Sequence, residues 1–202
     1  MSRVLTSIAS RQQDATAPAR VVAGMTMSLD GFVSDAEGRA GQLFGDLSDW
    51  RHTERGRASI AATGAVLMGR RTFEMASDPD LFADHYEYQV PIFVLTAQPP
   101  ARLPKENADL SFTFVSEGLE SALRRAKMAA GSKQVTVVGG ATLIQTLLNV
   151  GMVDELEIDI MPVLLRSGLR LLDNLDATVS LERLEVEALD QGRTALRYAV
   201  RG

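Results

Sequence analysis

Two short apolar runs of this sequence end at glycine and lead directly into a helical pattern. The first run covers residues 65–68 and meets Gly69, and the second covers 135–138 and meets Gly139-Gly140. This pattern predicts two strand-to-helix junctions of an α/β domain. A helix N-terminus offers free backbone N–H groups and partial positive charge, so each junction is a candidate anion site. Two of them on one sheet suit a ligand with several phosphates, whereas either one alone is also typical of an ordinary tight turn.

The order of the remaining patterns indicates the fold class. Strands are predicted at 21–27, 65–68, 92–95, 112–115, 134–138, 155–161, 181–189 and 194–200. Helices are predicted at 49–63, 70–75, 116–130 and 141–150, with Ser48 or Asp49 capping the first, Gly64 ending it, and Ser116 capping the third. Residues 34–48 lack a clean period and are predicted as a loop. The result is an α/β fold with a mostly parallel central sheet, helices on both faces and an antiparallel C-terminal hairpin edge.

Length and composition narrow the class of protein. The 202 residues suffice for one domain over 20–202, preceded by a Ser- and Ala-rich stretch at 1–19 that we expect to be a disordered tail. A net charge of −5 argues against non-specific nucleic-acid binding. With no cysteine and two histidines, we expect no disulfide and no metal site. No apolar run approaches the about 20 residues of a membrane helix and no secretory signal is convincing, so we expect a cytoplasmic protein.

Four motifs in the same order resemble the dihydrofolate reductase-like superfamily. They are MSLDGF at 27–32, VLMGRRTFE at 66–74, VGGATL at 138–143, and a closing segment with DEL at 154–156 and MPVLL at 161–165. The chain is most similar to the reductase domain of bacterial riboflavin biosynthesis, the RibD C-terminal domain. The resemblance covers residues 20–200 and implies an NADPH-dependent reductase that transfers hydride to a pterin- or pyrimidine-like ring. The specific expectation is the phosphoribosylaminouracil of riboflavin biosynthesis, with a homodimer formed through the C-terminal strands.

The resemblance also implies where the NADPH cofactor binds. Carried over by position, the cofactor residues are Gly69, Arg70, Arg71, Thr72, Leu95, Thr96, Val138, Gly139, Gly140, Ala141, Thr142 and Leu143. In relatives of this fold the peptide bond between the two glycines is cis. Arginine forks bind phosphate by bidentate hydrogen bonds, so the arginine pair favours a ribose 2′-phosphate. The alternative for both arginines is a solvated helix start.

The predicted substrate residues are Thr26, Asp30, Trp50 and Arg166. Several of them have a structural alternative. Asp30 is also a turn cap, Trp50 is also a core residue, and Arg166 also suits a contact with a partner subunit. The predicted proton donor is Asp46, with His52 as another candidate and Asp49 as a more typical helix cap.

Two other functions remain open from the sequence. One is a dimeric nucleotide-binding module without catalysis. The uncertain assignment of the proton donor favours this alternative. The other is a flavin-binding protein, and a colourless preparation would count against it.

Overall fold

The computed structural model describes residues 19–44 and 50–201, apart from the side chain of Asp84. Nearly all of the predicted tail lies outside the described residues. Asp46, Ser48 and Asp49 also lie outside them. The strands are β1 (Val21–Ser28), β2 (Phe32–Ser34), β3 (Thr63–Gly69), β4 (Ile92–Leu95), β5 (Phe112–Val115), β6 (Gln134–Val137), β7 (Glu155–Met161), β8 (Leu169–Arg170), β9 (Ser180–Ala188) and β10 (Thr194–Arg201). The helices are α1 (Gly41–Phe44), α2 (Glu54–Ala62), α3 (Arg70–Phe73), α4 (Leu81–His85), α5 (Leu119–Ala130) and α6 (Ala141–Asn149).

An eight-stranded sheet forms the centre of the protein, in the order β5-β4-β3-β6-β1-β7-β10-β9. The first six strands in this order, β5, β4, β3, β6, β1 and β7, are parallel to one another. By contrast, β10 runs antiparallel to both β7 and β9. The predicted mostly parallel sheet with an antiparallel hairpin edge is therefore confirmed. A separate two-stranded ladder joins β2 to β8.

Alternate residues of the parallel strands enter two different cores. Along β3, Ala65 and Leu67 pack in one cluster with residues of α5 and α6, while Val66 and Met68 pack in the other with Phe73 and Phe82. Both sets are almost fully buried. A strand that is apolar on both faces reads as a continuous apolar run, which is why these strands were visible in the sequence.

Two helices begin later than the sequence pattern predicts. A separate 3-10 turn at Trp50–His52 precedes α2, and the Thr53 hydroxyl oxygen caps α2 by accepting from the Gly56 amide at 3.0 Å. The predicted cap of α5 at Ser116 is wrong. Gly118 is the N-cap, and its φ of +95° is not helical, so the helix begins only after it, at Leu119. The predicted loop at 34–48 contains the short helix α1, whose Leu43 is fully buried.

Gly64 belongs to β3 and does not terminate α2, which ends at Ala62. A Cβ atom at Gly64 would lie 2.5 Å from the carbonyl oxygen of Ala130, the last residue of α5. The glycine is therefore required for the close approach of this helix end to the sheet, and the helix stop read from the sequence was wrong.

The segment after β7 is fastened to the turn that follows β1. The Asp30 carboxylate accepts hydrogen bonds from the Ser28 hydroxyl at 2.6 Å and from the amides of Leu165 and Arg166 at 3.1 and 2.9 Å. These bonds stabilise the ionised form, and they lower the pKa of Asp30 to about 2, with the Ser28 bond as the largest cause. Asp30 thus joins two parts of the chain that are about 135 residues apart.

None of the helices within 19–44 and 50–201 combines the length and the apolar character that crossing a bilayer requires.

Gly168 gives a test of how the closing segment packs. Its φ is +138°, and a Cβ atom there would lie 1.9 Å from the Ser34 carbonyl oxygen. Gly38 has a φ of +78° but no atom within 4 Å of such a Cβ. We expect Gly168→Ala to lower the free energy of unfolding by about 3 kcal/mol and Gly38→Ala by about 1 kcal/mol, measured by urea denaturation. Equal losses of unfolding free energy in the two variants would show that the close contact with the Ser34 carbonyl oxygen adds nothing to the cost of a side chain at position 168.

The Asp30 bonds predict a defined pH dependence of stability. The carboxyl titrates near its ordinary value of 3.8 in the unfolded chain and near about 2 in the folded protein. Its stabilising effect is complete above the unfolded value and is lost as the pH falls through the folded value. We expect Asp30→Asn to unfold at lower urea concentration than wild type at about pH 6, with the difference vanishing towards about pH 2. Asp109→Asn, which alters an exposed carboxylate, serves as the control and should show no such convergence.

Candidate functional site

The two glycine junctions lie side by side at one edge of the sheet. Because β3 and β6 are parallel neighbours, their carboxyl ends meet, and the Gly69 amide donates to the Gly139 carbonyl oxygen at 3.2 Å. Leu95 pairs with Gly69 in the ladder, so the end of β4 joins the same edge. The residues predicted for the cofactor are therefore brought together at the ends of three adjacent strands.

The second junction has an open backbone. The Gly139–Gly140 peptide bond is cis, as the resemblance implied. A Cβ atom at Gly139 would lie 2.8 Å from Met25 Cε, and one at Gly140 would lie 3.5 Å from Thr72 Oγ1. Any side chain larger than hydrogen at Gly139 would therefore fill the space between Met25 and Thr72.

Helix α6 begins directly after these glycines and has nine residues. The first amides of the helix, those of Ala141 and Thr142, have no acceptor within the helix, as at any helix N-terminus. Gly140, at the N-cap, has no side chain that could accept from them. By contrast, α3 at the first junction is a single turn of four residues. A helix dipole can therefore favour an anion at α6, whereas α3 can contribute mainly through its side chains.

The two arginines of α3 differ in their surroundings. Arg70 donates to Glu74 Oε1 at 2.7 Å and to the Gln98 carbonyl oxygen at 2.9 Å, with a longer contact of 3.5 Å to Thr96 Oγ1. Arg71 is exposed, and within the described part of the chain it makes no hydrogen bond or ion pair. Arg70 thus ties α3 to the segment after β4, while the guanidinium of Arg71 is available to a ligand.

A cleft of about 220 Å³ adjoins the second junction. Its lining residues come from β1, β6, β7, α1, α2, the 3-10 turn before α2 and the loops around them: Val22, Gly24, Met25, Thr26, Phe44, Trp50, Arg55, Ser59, Glu87, Tyr88, Thr136, Val137, Val138, Glu157, Asp159 and Arg193. Of the predicted substrate residues, Thr26 and Trp50 line this cleft, and Asp30 and Arg166 do not. Asp30 is engaged in the turn described above, and Arg166 is exposed with a φ of +68°.

One wall of the cleft carries charges that the sequence interpretation missed. Arg55 Nη2 lies 3.3 Å from Asp159 Oδ1 and 3.9 Å from Glu157 Oε2, and Arg193 Nη1 lies 3.9 Å from Asp159 Oδ2. The alternation in β7 was used to find the apolar face, and the same alternation places Glu157 and Asp159 together on the opposite face. That signal was present, but the two arginines come from distant parts of the chain.

Burial changes the acid–base properties of the cleft. It raises the pKa of Glu157 and of Glu87, because the charged form of a carboxyl is disfavoured away from water. It also raises the pKa of Tyr88 to about 12, and the Tyr88 hydroxyl lies 2.9 Å from the Ser59 hydroxyl. Trp50 lies against Tyr88 with ring centroids 6.1 Å apart, so an aromatic pair stands beside the charged wall.

Comparison with proteins of known structure identifies the fold of this chain. A candidate riboflavin biosynthesis protein from Shewanella sp. PV-4 is 21% identical with a TM-score of 0.69, covering 91% of this chain and 99% of that one. A dihydrofolate reductase from Enterococcus faecalis, complexed with NADP(H), is 17% identical with a TM-score of 0.59, covering 91% and 97%. At these identities the likeness shows the fold, which is dihydrofolate reductase-like.

Sequence comparison identifies the family. The protein YyaP of Bacillus subtilis (strain 168) is 23% identical over 191 residues, which are 89% of this chain and 94% of YyaP. The family model of the RibD C-terminal domain matches residues 19–195. That family is associated with reductase activity in riboflavin biosynthesis. Because the match spans nearly all of the sequence, the chain belongs to the RibD C-terminal domain family.

Proposed function

We propose that this protein is an NADPH-dependent reductase that transfers hydride to a pterin- or pyrimidine-like ring. The observation that carries the proposal is the meeting of the β3, β4 and β6 ends beside a cleft that can hold a flat ring. An extended dinucleotide needs phosphate contacts on one side and a pocket for the reacting ring on the other, and this edge of the sheet offers both.

The residues present fit a dinucleotide. The space that Gly139 keeps open lies between Met25 and Thr72, and the unpaired amides that begin α6 suit a pyrophosphate. Thr72 offers its hydroxyl group to a phosphate. Thr96 remains a proposed contact of the ribose at the neighbouring strand end, with its own hydroxyl donating to the Gln98 carbonyl oxygen at 2.7 Å. When bound, NADPH supplies the hydride. The chain itself orients the two rings and keeps water away from them, which is the larger part of catalysis in such a transfer.

Arg71 is the proposed partner of the 2′-phosphate, because Arg70 is already held by Glu74 and Gln98. A charge-assisted bond to phosphate contributes more than a neutral one and is absent with NADH. Asp46 remains the proposed proton donor, and Leu95, Val138 and Leu143 remain proposed cofactor contacts.

The proposal predicts a selective loss in one variant. We expect Arg71→Ala to weaken NADPH binding about 10-fold and to change NADH binding by less than about 2-fold, measured by titration of the reduced nicotinamide fluorescence. Arg124→Ala removes the same charge from an exposed position on α5 and should leave both affinities unchanged. A parallel loss for NADPH and NADH would assign Arg71 no part in recognising the phosphate.

Turnover separates the enzyme from the non-catalytic module. Purified protein is mixed with NADPH and a panel of pterins and pyrimidinones, including the phosphoribosylaminouracil of riboflavin biosynthesis. Oxidation of NADPH with one of these rings is the expected result, and it is followed by the near-ultraviolet absorbance of the reduced nicotinamide. Tight NADPH binding without oxidation across the panel would favour the module instead.

We further propose that the protein forms a homodimer through β9 and β10. All nine residues of β9 are exposed, and Leu181, Leu184 and Val186 among them are 42–52% exposed. An uncovered edge strand with apolar side chains is a ready pairing surface, so a second copy of the chain is the natural cover.

Light scattering tests this dimer. We expect a mass of about 44 kDa, twice the 21.9 kDa of one chain, and a shift towards the single-chain mass in Leu184→Glu. Leu103→Glu alters an equally apolar residue that is 66% exposed elsewhere and should leave the mass unchanged. A single-chain mass for the wild type at all concentrations would refute the dimer.

A further inference from the structure

A second concavity, of about 580 Å³, lies beside α5 and shares no lining residue with the cleft of the candidate site. We call it the α5 groove. Its lining includes Leu123, which belongs to the larger hydrophobic core, and the partly buried Met152, which packs against that core. Met128 also lines the groove, and 74% of its surface is exposed. In the described part of the chain, the groove therefore leaves apolar side chains open to water.

Charged residues of α5 border the same groove. Glu120, Arg124 and Lys127 line it, and their helical spacing places them on one side of α5. Within the described ranges none of the three forms an ion pair, and Arg124 makes only a long contact of 3.5 Å with the Ser121 hydroxyl. A partner that fits this groove therefore has an apolar part and charged groups at its margin.

The chain enters the domain at this groove. Ala19 lines it, is 5% exposed and is followed by β1. Residues 1–18, which we call the N-terminal segment, lie outside the described residues, and the match to the family model also begins at residue 19. The segment is thus joined directly to the groove. A segment tethered in this way meets its site at an effective concentration of the order of millimolar, which a second copy of the chain reaches only in concentrated solution.

The sequence of the N-terminal segment suits an apolar groove with charged margins. Val4, Leu5 and Ile8 have the spacing of residues on one face of a helix, and Asp14 lies nearer to the domain. At about 3.3 Å a residue, the eleven steps from Ile8 to Ala19 span up to about 36 Å. The twelve residues of α5 extend over about 18 Å, so these side chains can reach the whole length of the groove.

We propose that the α5 groove is the docking surface for the N-terminal segment of the same chain, with Val4, Leu5 and Ile8 packed against its apolar lining. Asp14 is then within reach of Lys127 at the margin of the groove. Burial of apolar surface stabilises this contact, and the direct tether removes most of the entropy cost of association. The inference does not rest on the proposed reductase function, because the groove and the cleft share no lining residue.

Disulfide formation tests the contact in the full chain, which has no cysteine of its own. Ser7→Cys is combined with Lys127→Cys in the groove or, as the matched control, with Lys105→Cys, an exposed lysine outside the groove lining. A disulfide needs Cα atoms within about 7 Å, so its rate of formation reports how often the two positions meet. Under mild oxidation we expect the groove pair to cross-link within one chain at least about 10-fold faster than the control pair.

Two substitutions connect this rate to the groove. Met128→Asp places a charge in the apolar lining and Ile8→Asp places one on the segment, so each should slow cross-linking of the groove pair about 10-fold. Met75→Asp alters a methionine that is 68% exposed outside the groove lining, and it should leave the rate unchanged. Thermal unfolding is measured on each variant, so that loss of the fold is distinguished from loss of the contact.

The outcomes of the cross-linking experiment are distinct. Faster cross-linking of the groove pair that Met128→Asp or Ile8→Asp slows supports the inference. Equal rates for the groove and control pairs, or a groove rate that neither variant changes, overturns it. Cross-linking between two chains, seen as a doubled mass on a denaturing gel, also overturns it and assigns the groove to a second copy. NADPH oxidation is measured separately, so failure of this inference leaves the reductase proposal as it stands.

Discussion

The parallel pairing of β3 with β6 is the constraint on which the site depends. It brings two glycine junctions that are about seventy residues apart in sequence to the same edge, where the Gly69 amide meets the Gly139 carbonyl. An antiparallel pairing would have placed them at opposite ends of the sheet. Because β1 follows β6 in the sheet, the cleft in front of Gly24 comes to lie next to this edge.

Much of the fold could be predicted because its strands have recognisable sequence patterns. Ile92–Leu95, Phe112–Val115 and Glu155–Met161 were predicted with the observed limits, since each is an apolar or alternating run with clear ends. Helix starts were harder. They depend on local geometry, such as the positive φ of Gly118 and the cap at Thr53, and on contacts such as that between Gly64 and Ala130. A sequence pattern does not contain those contacts.

The candidate site was predictable in one half only. The residues proposed to contact the cofactor, at the ends of β3, β4 and β6, belong to local motifs, and the structure brings these motifs together. The cleft wall is assembled from β7, from Arg55 in α2 and from Arg193 before β10, and only the two β7 carboxylates share a local pattern. Asp30 also belongs to a local motif, but it does not line the cleft. Its carboxylate instead links the turn after β1 to the closing segment.

The contact at Gly64 also has a consequence for how this architecture tolerates change. The end of α5 is pressed against the start of β3, at the margin of the sheet opposite to the glycine junctions. This close contact is far from the cleft, whose lining comes mostly from β1, β6, β7 and α2. A larger residue at position 64 is therefore expected to destabilise the domain without replacing any side chain that lines the cleft.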